Sequence, residues 1–502
     1  MVDRSASLGL AADKLSGAMT STCCLGGPLR LLRLTAFAVA LALAGSAAWA
    51  QEGAGAGWSR SFGTLELRGG VETYSAYYSM SGTWWNLAAE ASPGFDMNRG
   101  FAEFWVHPKL DGRLPLDGDA EAYGALSVGA TQTVGSDAFN YSNQGAVRFG
   151  SAMLGVRGTA GGWRYDVSFG RQPFTLGTGM LLTAGSSNGY SWGGGASAQR
   201  KVWGNSLVAR AGSGELTGTA FALEPDEAPE ARTDTRVQGL AFEWARPKVG
   251  KVGIAWFTVP RSQAIYPGDL APLDFIDQGR EGLDTWHGWA DLTGLIPGLP
   301  ALGLRAEFAQ QRNEITRADG RRDPMEASAW MLGASWWARE LPFAPRFSYH
   351  VARFTGDNPN TDVYERFDPM FWGNGLENWW FGANGAYSWL NANLRAQRFI
   401  LDAYLSAQDI LQFQYVRASV DQINSAVQFG QGARFTANQL LVGVPEPGLS
   451  NEIYLQYSRV FNPKLVVTAF VSRSSPRDGL EAAAPQGTQP WTTFGIGLTA
   501  NF

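Results

Sequence analysis

One pattern constrains the fold of this chain more than any other. Apolar residues alternate with polar or small residues in short segments, up to the last position. In the C-terminal segment TTFGIGLTANF, apolar side chains occupy every second position, namely Phe494, Ile496, Leu498, Ala500 and Phe502. Successive side chains of a β-strand point to opposite faces. This segment is therefore predicted to be a strand with one apolar face and one small, polar face.

Segments of this kind recur along the chain, and we predict eighteen strands. The predicted strands are 62–74, 100–110, 120–132, 148–159, 163–171, 201–210, 215–223, 235–245, 251–259, 283–293, 301–312, 328–338, 346–354, 395–405, 410–419, 451–460, 464–473 and 492–502. Short connections, such as 160–162 and 461–463, alternate with long ones, such as 172–200 and 355–394. Short turns on one rim, long loops on the other and segments of about ten alternating residues are typical of an outer-membrane β-barrel.

The membrane gives a physical reason for a closed barrel. Lipid offers no water to backbone N–H and C=O groups, so each group must pair with a neighbouring strand and no sheet edge can remain open. A soluble sandwich would not combine so many strands in one unit, and the sequence lacks the internal repeats of a β-propeller. The predicted fold class is all-β, a transmembrane antiparallel β-barrel of about 18 strands with long extracellular loops and short periplasmic turns.

The first fifty residues are predicted to be a secretory signal peptide rather than part of the fold. Arg30 and Arg33 precede an apolar run at 34–50, which ends in a small-residue cleavage site before Gln51. The run is shorter than the roughly 20 residues that a membrane anchor needs, and Met19 is an alternative start. We therefore predict two parts, a signal peptide at 1–50 and an outer-membrane barrel at 51–502.

Processing also decides the cysteine content and the charge of the mature chain. Cys23 and Cys24 are the two cysteines and both lie in the signal peptide, which excludes a disulfide scaffold or a thiol nucleophile in the mature protein. Removing residues 1–50 takes away four basic and two acidic side chains and leaves 36 basic and 43 acidic ones. This acidic balance gives no electrostatic reason to bind nucleic acid.

Three segments resemble the alginate-export family of bacterial outer-membrane barrels from about Gly170 onward. They are FGRQPFTLGTGMLL (169–182), RFTGDNPNTDVYERFDPMFWG (353–373, with Thr355 where the family has Ser) and LSNEIYLQYSRVFNPKLVVTAFVSRSSPRDGL (449–480). The resemblance implies an eighteen-stranded monomeric channel in the bacterial outer membrane. It also implies that the barrel-assembly machinery recognises the aromatic C terminus at Phe502.

The residues that line the lumen are predicted by giving the apolar face of each strand to lipid. The predicted pore-lining residues are Arg68, Arg157, Arg164, Arg236, Arg305, Arg346, His350, Arg398 and Glu452. Such side chains either brace the wall through cross-strand pairs or form a lane for an anionic substrate. Arg157, Arg236 and Arg346 lack an acidic neighbour on the same strand face, which makes them the stronger candidates for the lane.

The predicted function is passive passage of a hydrophilic, anionic solute or polysaccharide through a channel of the alginate-export type. The alternative is a substrate-specific uptake porin for another small molecule, aromatic compounds included. The inward charges are nearly balanced, whereas a conduit for a polyanion needs a strongly basic lumen, so both interpretations stay open. Trp379, Trp380 and Trp389 in loop 355–394 fit either an interfacial girdle or stacking faces for a solute.

An enzyme is not expected, and neither is a cofactor or a metal. The chain has three histidines, which is too few for a convincing metal cluster. His287 and Asp291 share one strand face, and a serine nucleophile would have to join them, but no G-x-S-x-G motif supports a hydrolase. The expected partners are outer-membrane lipid, an anionic solute or polysaccharide, and the barrel-assembly machinery.

Overall fold

The computed structural model describes residues 57–84, 96–138, 140–183, 185–196, 201–268, 275–296, 299, 301–317, 319–373, 379, 381–427, 443–483 and 489–502. The predicted signal peptide lies outside the described residues. Within these ranges, no helix is long and apolar enough to cross a membrane.

Strands make up most of the described chain. They are β1 (Trp58–Phe62), β2 (Leu65–Ser81), β3 (Arg99–Pro115), β4 (Glu121–Gly135), β5 (Gly145–Ala160), β6 (Trp163–Pro173), β7 (Val202–Ser213), β8 (Leu216–Pro225), β9 (Arg236–Arg246), β10 (Gly250–Arg261), β11 (Tyr266–Pro267), β12 (Phe275–Ile276), β13 (Asp284–Thr293), β14 (Leu302–Thr316), β15 (Arg322–Trp337), β16 (Arg346–Phe354), β17 (Leu394–Tyr404), β18 (Asp409–Ser419), β19 (Gly448–Asn462), β20 (Leu465–Pro476) and β21 (Trp491–Asn501). Two short helices, α1 (Gly385–Ser388) and α2 (Asp478–Ala483), lie in loops.

Eighteen of these strands form a closed antiparallel barrel. Each pairs with the next along the chain from β2 to β10 and from β13 to β21; β10 pairs with β13, and β21 pairs with β2 to close the ring. The prediction of an eighteen-stranded barrel is confirmed, since each predicted segment overlaps one of these strands. Several strands run longer than predicted, because their hydrogen-bonded ladders continue past the stretch of regular alternation. The remaining pair, β11 and β12, forms a small ribbon within one long loop.

Strand β1 extends the barrel sheet at its closing seam. It pairs with the first residues of β2, where Trp58 lies opposite Gly69. On the same edge of β2, Phe502 exchanges two backbone hydrogen bonds with Val71, at 2.8 and 2.9 Å. Strands β1 and β21 therefore lie one after the other along one edge of β2.

The two faces of the wall follow the predicted alternation. On β21, Phe494 and Ile496 point outward and are 45% and 43% exposed, while Thr493 and Gly495 are buried on the lumen side. A side chain at Gly495 would overlap the ring of Phe470 on β20, so the small residue lets an aromatic ring lie flat on the inner wall. Outward apolar side chains need no burial within the protein, because lipid covers them.

The core of the protein lies inside the barrel. One apolar cluster joins lumen-facing wall residues such as Phe257 and Phe354 to loop residues such as Leu182 and Phe367. Leu182 follows β6 and Phe367 follows β16, and both strands end on the rim opposite the short turns. The described residues of these two extracellular loops thus fold inward and pack against the wall.

Candidate functional site

Two long loops meet inside the barrel as a short parallel pairing. The N–H of Thr183 donates to the carbonyl of Phe371, and the N–H of Phe371 donates to the carbonyl of Leu181, both at 2.9 Å. A third bond of 2.9 Å runs from the N–H of Gly373 to the carbonyl of Gly179. The described residues of 174–183 and 364–393 are called the plug here. Two of the three sequence motifs singled out above therefore contact each other in the lumen.

Asp368 anchors the plug in a buried polar network. Its carboxylate accepts hydrogen bonds from the guanidinium of Arg280 at 2.7 and 2.9 Å and from the hydroxyl of Tyr266 at 2.8 Å. The side chain of Gln311 on β14 bonds both backbone groups of Asp368 at 2.8 Å. Although burial alone would lower the pKa of Arg280, the adjacent Asp368 raises it above its ordinary value, so the guanidinium stays charged.

A second anchor connects Trp379 of the plug to strands β13 and β14. The indole N–H of Trp379 donates to the hydroxyl of Thr178 at 2.9 Å, and Thr178 in turn donates to Glu307. The other oxygen of Glu307 lies 2.7 Å from Nε2 of His287. Trp379 and Trp389 are both buried inside the barrel, so a girdle at the membrane surface is wrong for these two. Trp380 lies outside the described residues.

Glu452 on β19 is the third anchor. Its carboxylate accepts the backbone N–H groups of Ala383, Asn384 (3.2 Å) and Gly385 (3.0 Å). It also accepts the hydroxyls of Ser472 at 2.7 Å and Ser474 at 2.8 Å on β20. Glu452 was predicted to line the pore. It does face the lumen, but the plug covers it and leaves it 2% exposed.

Asn384 adds the last strand of the barrel to this anchor. Its side-chain amide donates to the carbonyl of Trp491 at 2.9 Å and accepts the hydroxyl of Thr493 at 2.6 Å, both on β21. Together the three anchors hold the plug to β13 and β14 on one side of the ring and to β19, β20 and β21 on another. Gln311 and Glu452 lie toward the extracellular ends of β14 and β19, whereas Glu307 lies nearer the middle of the wall. Charged side chains such as Arg305 and Arg346 lie on the periplasmic side of these anchors.

Four of the predicted pore-lining residues lie in one basic patch on the wall from β14 to β17. One row of directly paired residues crosses the four strands. It runs from Arg305 on β14 through Gly333 on β15 and His350 on β16 to Arg398 on β17. A side chain at Gly333 would overlap the imidazole of His350, which explains the glycine. Arg346, the fourth, lies near the periplasmic end opposite Asp402.

The arginines of this patch contact residues on other strands and in the plug rather than acidic residues on their own strands. Arg305 donates to Asp291 of β13 at 2.6 Å rather than pairing with Glu307 of its own strand. Arg398 is fully buried, and its guanidinium lies 5.5 Å from the ring centre of Phe381 in the plug. Arg305 and Arg346 thus face the periplasmic part of the lumen, whereas Arg398 lies beneath the plug.

A second group of predicted residues lies across the lumen on β5 and β6. Arg157 forms an ion pair with Glu121 on the neighbouring β4, a partner that in-strand spacing did not reveal. Arg157 and Arg164, together with Asp166 and Arg210, line a groove of about 410 Å³. Arg68 lies nearer the rim, half-exposed and 3.7 Å from Glu66.

The placement of Arg236 in the lumen is wrong. On β9 the residues at even positions, including Leu240 and Phe242, are exposed on the outer face, and Arg236 shares their parity. The lumen face of β9 instead carries Val237 and Ala241, which are buried against the core. Both faces of this strand therefore carry apolar side chains, and the assignment of the apolar face to lipid selected the wrong one.

A hydrogen-bonded chain of Ser127, His107 and Glu72 also faces the lumen and was not predicted. Nε2 of His107 lies 2.9 Å from the hydroxyl of Ser127, and Nδ1 lies 3.3 Å from Glu72. Ser127 accepts the backbone N–H of Ser151 at 2.7 Å, beside a break in the ladder between β4 and β5. The chain thus satisfies a backbone donor that the strand pairing leaves free. In the described part of the chain, no group of three metal-ligating side chains is present.

Solved structures of outer-membrane proteins share this architecture. The chain is similar to OccAB4 of Acinetobacter baumannii, with a TM-score of 0.50, 10% identity and coverage of 87% of this chain and 98% of that one. It is also similar to the outer membrane protein OprD from Pseudomonas aeruginosa (0.48, 12%, 86% and 94%) and to OpdQ of the same organism (0.46, 11%, 87% and 98%).

No family model and no curated protein matches the chain. Identity this low to solved structures bears on the fold alone. The protein is a porin-like β-barrel of the bacterial outer membrane. The comparisons do not support membership of the alginate-export family.

Proposed function

We propose that this chain is a substrate-specific channel for the uptake of a small hydrophilic solute, with anions preferred. The observation that carries the proposal is the plug. Its three anchors at Asp368, Glu307 and Glu452 hold loop residues against the inner wall, and loop residues pack with wall residues in the apolar core inside the barrel. A solute must therefore pass beside packed side chains rather than through an open pore.

The plug argues against export of a polymer. A polysaccharide in transit occupies the whole length of the lumen at once, so it needs a continuous wide path. Here the plug crosses the lumen between β14, through Thr178 and Glu307, and β19, through Glu452. Moving it would break a buried ion pair and a fully bonded carboxylate, at a cost of several kcal/mol. A small solute requires no such movement.

The preference for anions rests on the periplasmic side of the plug. Arg305 and Arg346 on one wall, and Arg157, Arg164 and Arg210 on the other, place positive side chains in a confined aqueous space. Fixed positive charges in a narrow pore raise the local concentration of anions. Acidic partners offset part of this field, so we expect selectivity for a particular small anion rather than strong general anion conduction.

An aromatic solute is the second candidate, because an aromatic wall lies next to the plug. On β2, β3, β19 and β20, lumen-facing rings pack in pairs. Tyr78 lies 5.0 Å from Phe101, and Tyr454 lies 5.4 Å from Phe470, between ring centres. Tyr78, Phe101 and Tyr454 are buried and Phe470 is half-buried, so Phe470 is the ring of these four that could contact a planar solute directly. A panel that pairs aromatic with aliphatic carboxylates of equal charge distinguishes the two candidates.

Two measurements on reconstituted protein test the proposal. In a liposome-swelling assay with sugars and carboxylates of increasing size, we expect entry of small solutes only. In planar bilayers, we expect small single-channel conductance and concentration-dependent block by one carboxylate of the panel. Entry of oligosaccharides at rates close to those of monosaccharides would contradict the proposal, as would large conductance that no solute of the panel blocks.

A further inference from the structure

Arginines are concentrated on one sector of the outer face, at the extracellular end of the barrel. They lie at the end or start of four strands, beyond exposed apolar residues of the same parity such as Tyr349 on β16, Tyr415 on β18 and Val471 on β20. The four residues, called the arginine surface below, are Arg353 (β16), Arg395 (β17), Arg417 (β18) and Arg473 (β20). Their position places them directly above the lipid-facing band.

Two members of the arginine surface share one buried carboxylate. Arg353 and Arg395 are direct cross-strand partners, a geometry in which like charges repel each other. Asp421 lies between them and accepts a hydrogen bond from Nε of each, at 2.6 and 2.7 Å. The side chain of Asp421 is 1% exposed, whereas those of Arg353 and Arg395 are 37% and 56% exposed. A further bond of 3.1 Å joins Arg353 to the other oxygen of Asp421. Asp421 therefore fixes both guanidinium groups, and both arginine side chains stay partly exposed.

The arginine surface carries a net positive charge. Burial alone would raise the pKa of Asp421, but the hydrogen bonds from Arg353 and Arg395 bring it below its ordinary value, so it contributes one negative charge at neutral pH. Within the described ranges, no carboxylate forms an ion pair with Arg417 or Arg473. The adjoining loop sequences 428–442 and 484–488 contain no Asp or Glu. Glu365 also acts electrostatically on Arg353. Four positive charges thus face two negative charges, and the net charge of the surface stays positive.

The neighbouring sector of the same rim is different. On β14 and β15, Arg312 lies 3.7 Å from Glu326, and Arg322 lies 3.0 Å from Glu314. Each of these arginines has an acidic partner, so that sector is electrically neutral. The excess of positive charge is therefore a property of β16 to β20 and not of the whole extracellular rim.

We propose that the arginine surface binds the phosphate groups of the phosphorylated glycolipid in the outer leaflet. The guanidinium fork matches phosphate oxygens in two-point hydrogen bonds. The apolar residues below it, such as Tyr415 and Val471, would contact the acyl chains of the same lipid. A bound phosphate would also offset the repulsion between Arg353 and Arg395. A basic patch at a membrane interface is the arrangement by which proteins recognise anionic lipid headgroups.

The test compares two double variants of the full-length protein. Arg417→Ala with Arg473→Ala removes half of the arginine surface without breaking an ion pair, and Arg312→Ala with Arg322→Ala is the matched control. The probe is lipid A with two phosphates, and binding to the detergent-solubilised barrel is measured by native mass spectrometry. We expect roughly thirtyfold weaker binding for the first variant and an unchanged affinity for the control.

Two further arms identify what is recognised. Dephosphorylated lipid A should bind the wild-type barrel much more weakly than the diphosphorylated form. Inorganic phosphate should compete only at concentrations far above that of the lipid. Equal affinity of the Arg417/Arg473 variant and the wild type, or equal affinity for both lipid forms, would overturn the proposal. Full competition by inorganic phosphate at the concentration of the lipid would assign the site to free phosphate and would overturn a lipid site. Heat-modifiable migration in gels confirms that each variant is folded.

Discussion

Replacing Glu452 by Gln should release the plug from one side of the lumen while leaving the barrel wall intact. One carboxylate oxygen accepts three hydrogen bonds, from Ala383, Asn384 and Ser472, and the other accepts two, from Gly385 and Ser474. The three backbone partners are N–H groups, which donate a hydrogen bond and cannot accept one. A glutamine fits the same space, but its NH₂ group would face a donor on one side.

The hydrogen bonds of Glu452 determine how much docking free energy the plug should lose. With the amide oxygen in the position that accepts three bonds, the N–H of Gly385 loses its acceptor in a buried site, at a cost of about 1–3 kcal/mol. The bonds that remain lose the strengthening from the charge, about 1 kcal/mol for each of two or three. A total of about 3–6 kcal/mol weakens docking of the plug by about a hundredfold or more. Strand pairing of β19 with β18 and β20 does not involve this carboxylate.

Two measurements should detect the release. Hydrogen exchange of residues 381–393 should become faster, and single-channel recordings should show higher conductance with more current noise. The control is Ser458→Ala, which changes a lumen-facing residue of the same strand whose hydroxyl bonds only Gln456 and Thr468. Unchanged exchange and conductance in the glutamine variant would refute the conclusion that this carboxylate holds the plug.

Arg346, Asp368 and Phe502 each have a role that a single change can test. Arg346→Glu should shift the reversal potential in a salt gradient toward cations, because Arg346 faces the lumen. Arg236→Glu should leave the reversal potential unchanged, because Arg236 lies on the outer face. Equal shifts in both variants would contradict this placement. Asp368→Asn leaves the buried Arg280 without its carboxylate and should cost about 3–5 kcal/mol of plug packing, which limited proteolysis should detect as new cleavage in the long loops; an unaltered digestion pattern would count against that role. Deletion of Phe502, whose backbone closes the seam with Val71, should lower the amount of heat-modifiable barrel in the outer membrane, and normal levels would refute the role in assembly.

The wall of the barrel was predictable because alternation is a local property of each strand. The lipid solvent requires one apolar face per strand, so sequence alone reveals both the number of strands and, for β19 and β21, the direction of their side chains. The rule that the apolar face points to lipid failed at Arg236, because β9 carries apolar side chains on both faces. Val237 and Ala241 line an apolar core inside the barrel, and a strand with two apolar faces gives no parity signal.

Contacts between distant segments were not predictable from spacing. Arg157 has an acidic partner on the adjacent strand, and Arg305 pairs with Asp291 across a strand boundary. Both pairings depend on register, which a single strand does not contain. The anchors of the plug are further apart still. Asp368 and Arg280 are 88 positions apart in the sequence, so only the folded loops bring them together.

The attachment of the plug to β21 has a consequence for the order of assembly. Asn384 bonds Trp491 and Thr493, which belong to the last strand of the chain. These contacts cannot form before that strand has joined the ring, even though the plug residues are synthesised more than a hundred positions earlier. An insertion intermediate that lacks the final strand would therefore carry the loop undocked. The channel becomes restrictive in the same step that seals its wall, and a stalled intermediate would leak solutes that the finished barrel rejects.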